Sequence, residues 1–266
     1  MTPPADQGPR SRGLHGRIVD AIGQRIAHGD LPVGGVVSPE QVEAEYAVSR
    51  SVVREALRTL EVLGMVRPRH KVGTTVQPAT AWALLDPQVI AWRSDGPDAD
   101  RQLSELLALR EAVEPAAAGL AARAAADDLS ARLGTHLQAM RDAYDARNRS
   151  AFVAADTSFH RTMLEGSENA VLSQLVQTLL ATLQARYSDR HQFFTADTPA
   201  SLQRHEQVVD AIAARDAKAA EAAATALVQA SRVEVLGAEG HDAVPTDAPG
   251  FEQQHGRHPG HAEGAR

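Results

Sequence analysis

VSRSVVREALRTLEVLG, residues Val48–Gly64, has the pattern of a short helix with one apolar and one basic face. Val53, Ala56, Leu57, Leu60 and Leu63 recur at steps of three and four, the spacing that puts side chains on one side of an α-helix for burial. Ser51, Arg54 and Arg58 fall on the other side. Ser49 stands where an N-cap belongs, and Gly64 where a helix often closes in a left-handed residue. Arg50 and Arg54 lie near the helix N-terminus, from which they would reach phosphates or guanine edges if that end entered a major groove. An isolated helix of this kind would serve equally well as a solvated surface. Its neighbours decide between the two.

Upstream, Leu14 to His28 repeats an apolar residue every fourth position, at Leu14, Ile18, Ile22 and Ile26, until Gly29–Gly35 breaks the pattern. Pro39 to Tyr46 reads as a second short helix, turning at Ala47-Val48 into the arginine helix. Downstream, Met65–Pro68 and Gly73–Val76 are β-prone runs around a basic tip of Arg69, His70 and Lys71. Three helices and a basic hairpin make a winged helix-turn-helix.

Residues 14 to 76 resemble the N-terminal domain of GntR-family transcription regulators, carried by RIAHGDLPVGGVVS, VSRSVVREALRTLEVLGMV and VGTTV. The resemblance implies that Arg50 and Arg54 contact the operator, that Ser49 meets a phosphate, that Ser51 and Arg58 share that face and that Gly73 sits in a wing entering the minor groove. One position departs from the family pattern: Glu40 stands early in the second helix where many members carry a DNA-contacting arginine. A carboxylate repels phosphate, so either the operator differs from the common one or this helix lies farther from DNA.

At 266 residues the chain accommodates two modest domains. No apolar run approaches the roughly 18 residues of a membrane span, and Met1–Arg12 lacks a signal-peptide core, so a soluble, cytoplasmic protein is expected. Cysteine is absent, which excludes disulfides and thiolate metal sites and leaves His, Asp or Glu to hold any metal. Net charge is −7, yet residues 10–76 carry 10 Lys/Arg against 7 Asp/Glu. A mildly basic reader on an acidic body suits a homodimer that gains affinity by engaging two half-sites at once.

Residues 1–12 read as disordered, 13–76 as the winged domain and 77–100 as a linker, at Gln77–Thr80, and a connecting helix. Residues 101–236 read as an all-α bundle and 237–266 as a disordered tail rich in Gly, Pro, Asp and His. The fold class is therefore mainly α. Helices are expected near 86–94, 101–125, 128–146, 149–165, 168–190, 198–214 and 216–236. Trp82 and Trp92 are expected to pack the helix joining the domains. Within the bundle, Asp156 and His160 are four apart and project from one helix face, as a pair of metal ligands or as a side-chain hydrogen bond; His205 lies on a later helix.

ELLALREAVEPAAAGLAA, ADTSFHRTMLEGSENAVLSQL and HEQVVDAIAARDAKAAEAA resemble the FCD ligand-binding domain of the FadR subfamily of GntR regulators. That resemblance implies a divalent metal, zinc or similar, held by one Asp and three His, of which Asp156, His160 and His205 match the first three. Leu227 occupies the fourth position. Either three ligands hold the ion and an effector or water completes it, or no metal binds and the polar residues take the effector directly. Arg110 matches the effector-carboxylate arginine, whose planar fork suits bidentate binding; a salt bridge to Glu114 is its alternative role.

WALLDPQVIAW, LREAVEPA and LQRHEQVVDAI further resemble galactonate-responsive regulators of sugar-acid catabolism. The expected effector is a polyhydroxy acid such as galactonate or gluconate, with Arg186, Arg190 and Ser201 as further candidate contacts; another small carboxylate such as lactate is the alternative. The expected function is that of a regulator, a repressor released from its operator by the acid. The rival class, a metal-dependent hydrolase, lacks a nucleophile or general base at a recognisable spacing and gives the winged domain no part.

Overall fold

The computed structural model describes residues 13–124, 126–186 and 194–237. The first three helices are α1 (Leu14–Ala27), α2 (Pro39–Tyr46) and α3 (Arg50–Val62). Ile18, Ile22 and Ile26 of α1 and Val53, Ala56, Leu57 and Leu60 of α3 all face one core, as their spacing requires, while Leu14 stays half-exposed. Ser38 caps α2 by accepting from the Gln41 amide, and Ala47 takes the left-handed conformation (φ 51°) that ends it and reverses the chain into α3. Ser49 sits at the N-cap of α3 without capping it: its hydroxyl is 2.9 Å from that of Ser51, so the helix amides stay open. Gly64 closes α3 at φ 72°, packed so tightly on the Ala81 carbonyl that no side chain fits.

The wing is β2 (Val66–Arg69) and β3 (Gly73–Val76), turning through Lys71 (φ 62°) and Gly73 (φ 108°). A two-residue strand, β1 (Val36–Val37), joins the far side of β3, with Val36 opposite Thr75 and Val66 opposite Val76, giving the order β1-β3-β2. The sequence reading had a two-stranded hairpin; β1 is too short to leave a period in the sequence and exists because β3 offers it an edge.

The linker Gln77–Thr80 is held by hydrogen bonds, among them the Gln77 amide to the Met65 carbonyl at 2.9 Å. Trp82 donates its indole N–H to the Gln77 carbonyl at 2.9 Å, Ala83 bonds Leu63, and a 3-10 turn at Ala79–Ala81 lies between. The joint proper is α4 (Pro87–Ser94), which packs on α1 behind it and on α5 (Ala99–Ala124) and α9 (Val176–Arg186) ahead of it. Trp92 of α4 is buried against Gly23, and its indole and the Gln88 amide both donate to Asp20 at 3.1 Å. Toward the bundle, Gln102 donates to the Ile90 carbonyl (2.9 Å) and Thr178 to the Leu85 carbonyl (2.6 Å).

The bundle continues with α6 (Leu129–Asp145), α7 (Arg149–Glu165), α8 (Ala170–Gln174), α10 (Thr198–Ala213) and α11 (Ala217–Gly237). The one helix expected over 168–190 is two: the Leu175 amide bonds the carbonyl three residues back and the chain breaks between α8 and α9. Small residues of α5 (Ala117, Ala118, Ala121) and α11 (Ala220, Ala224) are fully buried and let these helices approach closely. Phe159, Met163, Leu133, Met140, Val208 and Leu227 fill the main core, each contributing about 1.5–3 kcal/mol on burial. No described helix is long and apolar enough to cross a membrane. The disorder expected of residues 1–12 and 237–266 falls outside the described residues except at Gly237, which is the last residue of α11.

Candidate functional site

Two sets of polar residues stand out, one exposed and one buried. On α3 the apolar stripe fixes the rotation of the helix, so Ser51, Arg54 and Arg58 are held outward, exposed, beside Ser49 and Arg50. Arg54 and Arg58 have no ion-pair partner among the described residues. Arg50 does: its guanidinium lies 3.7 Å from Glu40 and 4.0 Å from Glu43, both on α2. The N-termini of α2 and α3 therefore share one face, and the carboxylate at 40 is part of it. The wing tip presents Arg67, Arg69, His70 and Lys71, all exposed, with Gly73 beside them.

The buried set joins three helices in the bundle. Asp156 and His160 project from α7 and His205 from α10, and one ligand atom from each lies within 4.8 Å of the others. Arg110 and Glu114 arrive from α5; all five side chains are at most 2 % exposed. Arg110 Nε donates to Glu114 Oε1 at 2.6 Å and Nη2 to Oε2 at 3.3 Å, while Nη1 has no hydrogen-bond partner among the described residues. The sequence left Arg110 between a fork for an incoming carboxylate and a salt bridge to Glu114. The Nε–Nη2 edge is given to Glu114, and Nη1 is left over.

The histidines are each oriented from behind. His205 Nδ1 donates to the Ser201 carbonyl at 2.8 Å, which turns Nε2 to within 3.2 Å of Asp156 Oδ1. His160 Nε2 faces Arg110 Nη2 at 3.3 Å and Asp156 Oδ1 at 3.7 Å, and its Nδ1 lies 2.9 Å from Glu114 Oε2, off the line of an ideal hydrogen bond. Burial alone would raise the Glu114 carboxyl, but the Arg110 charge and His160 hold it at about 2. Burial likewise opposes Asp156, which His160 and His205 keep well below the carboxylate range. His160 is pulled down by burial and pushed up further by Glu114 and then Asp156. A carboxylate and two imidazoles converging in a dry pocket favour a positive charge between them, and the donor set is one that a divalent cation such as zinc accepts. One ligand atom from each of the three, within 4.8 Å of the others, is the geometric sign of that fit.

Leu227, at the position of a fourth ligand, lies in the apolar core of α11 and supplies no donor. One turn on, Ser231 has a buried hydroxyl with no hydrogen-bond partner among the described residues. Ser201 takes part through its carbonyl, while its side chain is half-buried on α10. The Arg186 side chain and the whole of Arg190 lie outside the described residues. Sequence reading missed one thing: Glu114 touches His160 as well as Arg110, although its spacing of four from Arg110 already put both on one face.

A three-helix, winged reader carrying outward arginines, joined through α4 to an all-α body with a buried charged centre, defines a two-domain DNA-binding transcription regulator. The GntR family of bacterial regulatory proteins matches residues 14–76 and the FCD domain matches residues 105–230. The galactonate operon transcriptional repressor of Escherichia coli K12 is 31% identical over 216 residues, covering 81% of this chain and 93% of that protein. The regulator YieP of the same organism is 30% identical over 229 residues, covering 85% and 96%. The solved structure of Lar, which controls expression of the Listeria monocytogenes agr system, superposes with a TM-score of 0.53 at 18% identity, covering 84% of this chain and 96% of that one, a likeness of fold alone. The chain belongs to the GntR family and has the winged helix plus FCD build of its FadR-like members, which are transcription regulators and not enzymes.

Proposed function

We propose that the protein is a cytoplasmic, homodimeric repressor of sugar-acid catabolism, released from its operator when a hexonate such as galactonate or gluconate binds the FCD domain. The observation that carries the effector half is Arg110 Nη1, a buried cationic donor without a hydrogen-bond partner among the described residues, on the side chain that packs beside Asp156, His160 and His205. A guanidinium N–H in a dry pocket calls for an anion, and the charge-assisted bond is worth more there than in water. A divalent ion held by Asp156, His160 and His205, with Leu227 leaving positions open, would supply Lewis acidity toward the same anion. Ser231 and Arg186 are candidate contacts for its hydroxyls, as are Ser201 and Arg190. The likeness to the galactonate operon repressor points to the acid class. Lactate-sized acids offer the same carboxylate but fewer hydroxyls to satisfy Ser231.

On the DNA side, Arg54 and Arg50 read or clamp the major groove, with Ser49, Ser51 and Arg58 flanking them, and the Gly73 wing enters the minor groove. In a dimer the two α3 helices sit about one DNA turn apart. The acid acts through contacts already in place: α7, which carries Asp156 and His160, packs on α5 and α9, and both grip α4. A shift of α4 would turn the reader through Trp92 and Asp20 and spoil half-site spacing. The acid must bind one arrangement better than the other for this to operate. The test is a footprint on DNA upstream of its own gene, followed by titration with galactonate, gluconate and lactate. Release by one hexonate supports the reading; a footprint that no acid alters overturns its effector half.

A further inference from the structure

We infer that Glu114 is the positioning residue of the buried centre: it holds His160 in the Nδ1–H form, turning the bare Nε2 toward Asp156 and His205, and it takes the Nε–Nη2 edge of Arg110 so that Nη1 alone faces a bound acid. The inference rests on the reading of this centre as a site for a cation and an acid.

The argument is one of donors and acceptors. A guanidinium nitrogen donates and never accepts, so the ring nitrogen 3.3 Å from Arg110 Nη2 carries a lone pair: His160 Nε2 is unprotonated in the neutral ring. In that neutral ring the proton sits on Nδ1, 2.9 Å from the Glu114 carboxylate though off the line of an ideal hydrogen bond. His205 reaches the matching state by another route, its Nδ1 donating to the backbone carbonyl of Ser201, which no substitution removes. Of the two imidazoles, His160 alone depends on a side chain for its orientation. Carboxylates behind ligating histidines fix ring and tautomer in this way, and their loss weakens metal affinity about 10–100-fold.

The same carboxylate is spent on Arg110. With Nε and Nη2 committed to Glu114, an incoming carboxylate meets the outer nitrogen Nη1 and cannot form the parallel two-bond pair across the Nε–Nη2 edge. Glu114 thus sets both how the cation side and how the acid side of the centre are presented, while being closed off from the ligand itself.

The experiment uses full-length protein. Long-range proton–nitrogen spectra of metal-free, 15N-labelled protein, at a pH where the ring is neutral, read the His160 tautomer directly, with His160→Gln giving the assignment. The expected result is Nδ1–H in the wild type and its loss in Glu114→Gln, with zinc affinity by competition falling about 10–100-fold. Glu111→Gln, which disturbs the neighbouring pair with Arg232, should change zinc affinity less than about 2-fold, an allowance below the range for carboxylates behind a ligand. Because Glu114→Gln leaves Arg110 without its counter-ion, Glu114→Asp is the second variant: it keeps the charge, shortens the reach to His160 and should weaken zinc to an intermediate degree. A wild-type His160 in the Nε2–H form, or either folded Glu114 variant with wild-type tautomer and zinc affinity, overturns the inference. If wild-type protein takes up no zinc, the cation reading fails, and the tautomer still decides the role of Glu114.

Discussion

Arg110 and Glu114, one turn apart on α5, meet at 2.6 Å with both side chains closed to solvent. An ion pair so placed contributes little net stability by itself, since desolvation offsets its attraction, but breaking it strands a charge in the core. Here the pair also directs: Glu114 lies against His160, and Arg110 meets His160 through Nη2, leaving Nη1 without a hydrogen-bond partner among the described residues.

Arg110→Ala should therefore do two things. It removes the donor for the acid, so stabilisation by any hexonate disappears, and it leaves Glu114 buried without a cation, at a cost of about 3–5 kcal/mol. Denaturant melts with and without ligand measure both. Operator binding below the unfolding transition should persist. Unchanged hexonate affinity would exclude Arg110 from the site.

Arg54→Ala addresses the other end of the molecule. The side chain is exposed and has no ion-pair partner among the described residues, so its loss should leave stability nearly unchanged. Operator binding should weaken by about 1–3 kcal/mol if it contacts a guanine. Anisotropy on operator DNA, beside calorimetry with the acid, separates the effects. Equal loss of both activities would contradict independent modules.

Glu40 is 3.7 Å from Arg50 on the face proposed to read DNA, where it would compete with phosphate for that guanidinium. Glu40→Ala should tighten operator binding and steepen its salt dependence, because Arg50 becomes free to neutralise a further phosphate. Weaker binding with relaxed preference at one base would instead give Glu40 a base contact, such as a cytosine amino group.

Gly23 lies under the Trp92 ring, where a Cβ would stand 2.6 Å from ring carbons. Gly23→Ala should push α4 off α1 and destabilise the fold by about 1–3 kcal/mol. If α4 carries the signal, the variant should also respond less to the acid than stability alone explains, which release assays at matched folded fraction would detect. Full response would remove α4 from the relay.

The winged domain was legible because its helices bury one clean stripe each: Val53, Ala56, Leu57 and Leu60 give the period of α3 without help from the rest of the chain. Strand β1 was not, since two residues carry no period, and Ser49 holds the N-cap position expected of it but turns its hydroxyl to Ser51. In the bundle, spacing of four brought Asp156 to His160 and Arg110 to Glu114. That His205 closes on Asp156, and Glu114 on His160, are contacts between helices, set by how α5, α7 and α10 pack. The break at Leu175 escaped because Leu172, Leu175 and Leu179 keep a helical spacing of three and four across it, with no Gly or Pro to mark a stop.

The most direct measurement is a calorimetric titration of full-length protein with galactonate, gluconate and lactate, before and after chelation, with Arg110→Ala in parallel. The account predicts saturable binding of a hexonate that chelation weakens and Arg110→Ala abolishes. Binding that ignores both treatments, or no binding of any acid, would contradict the assignment of the buried centre as the effector site.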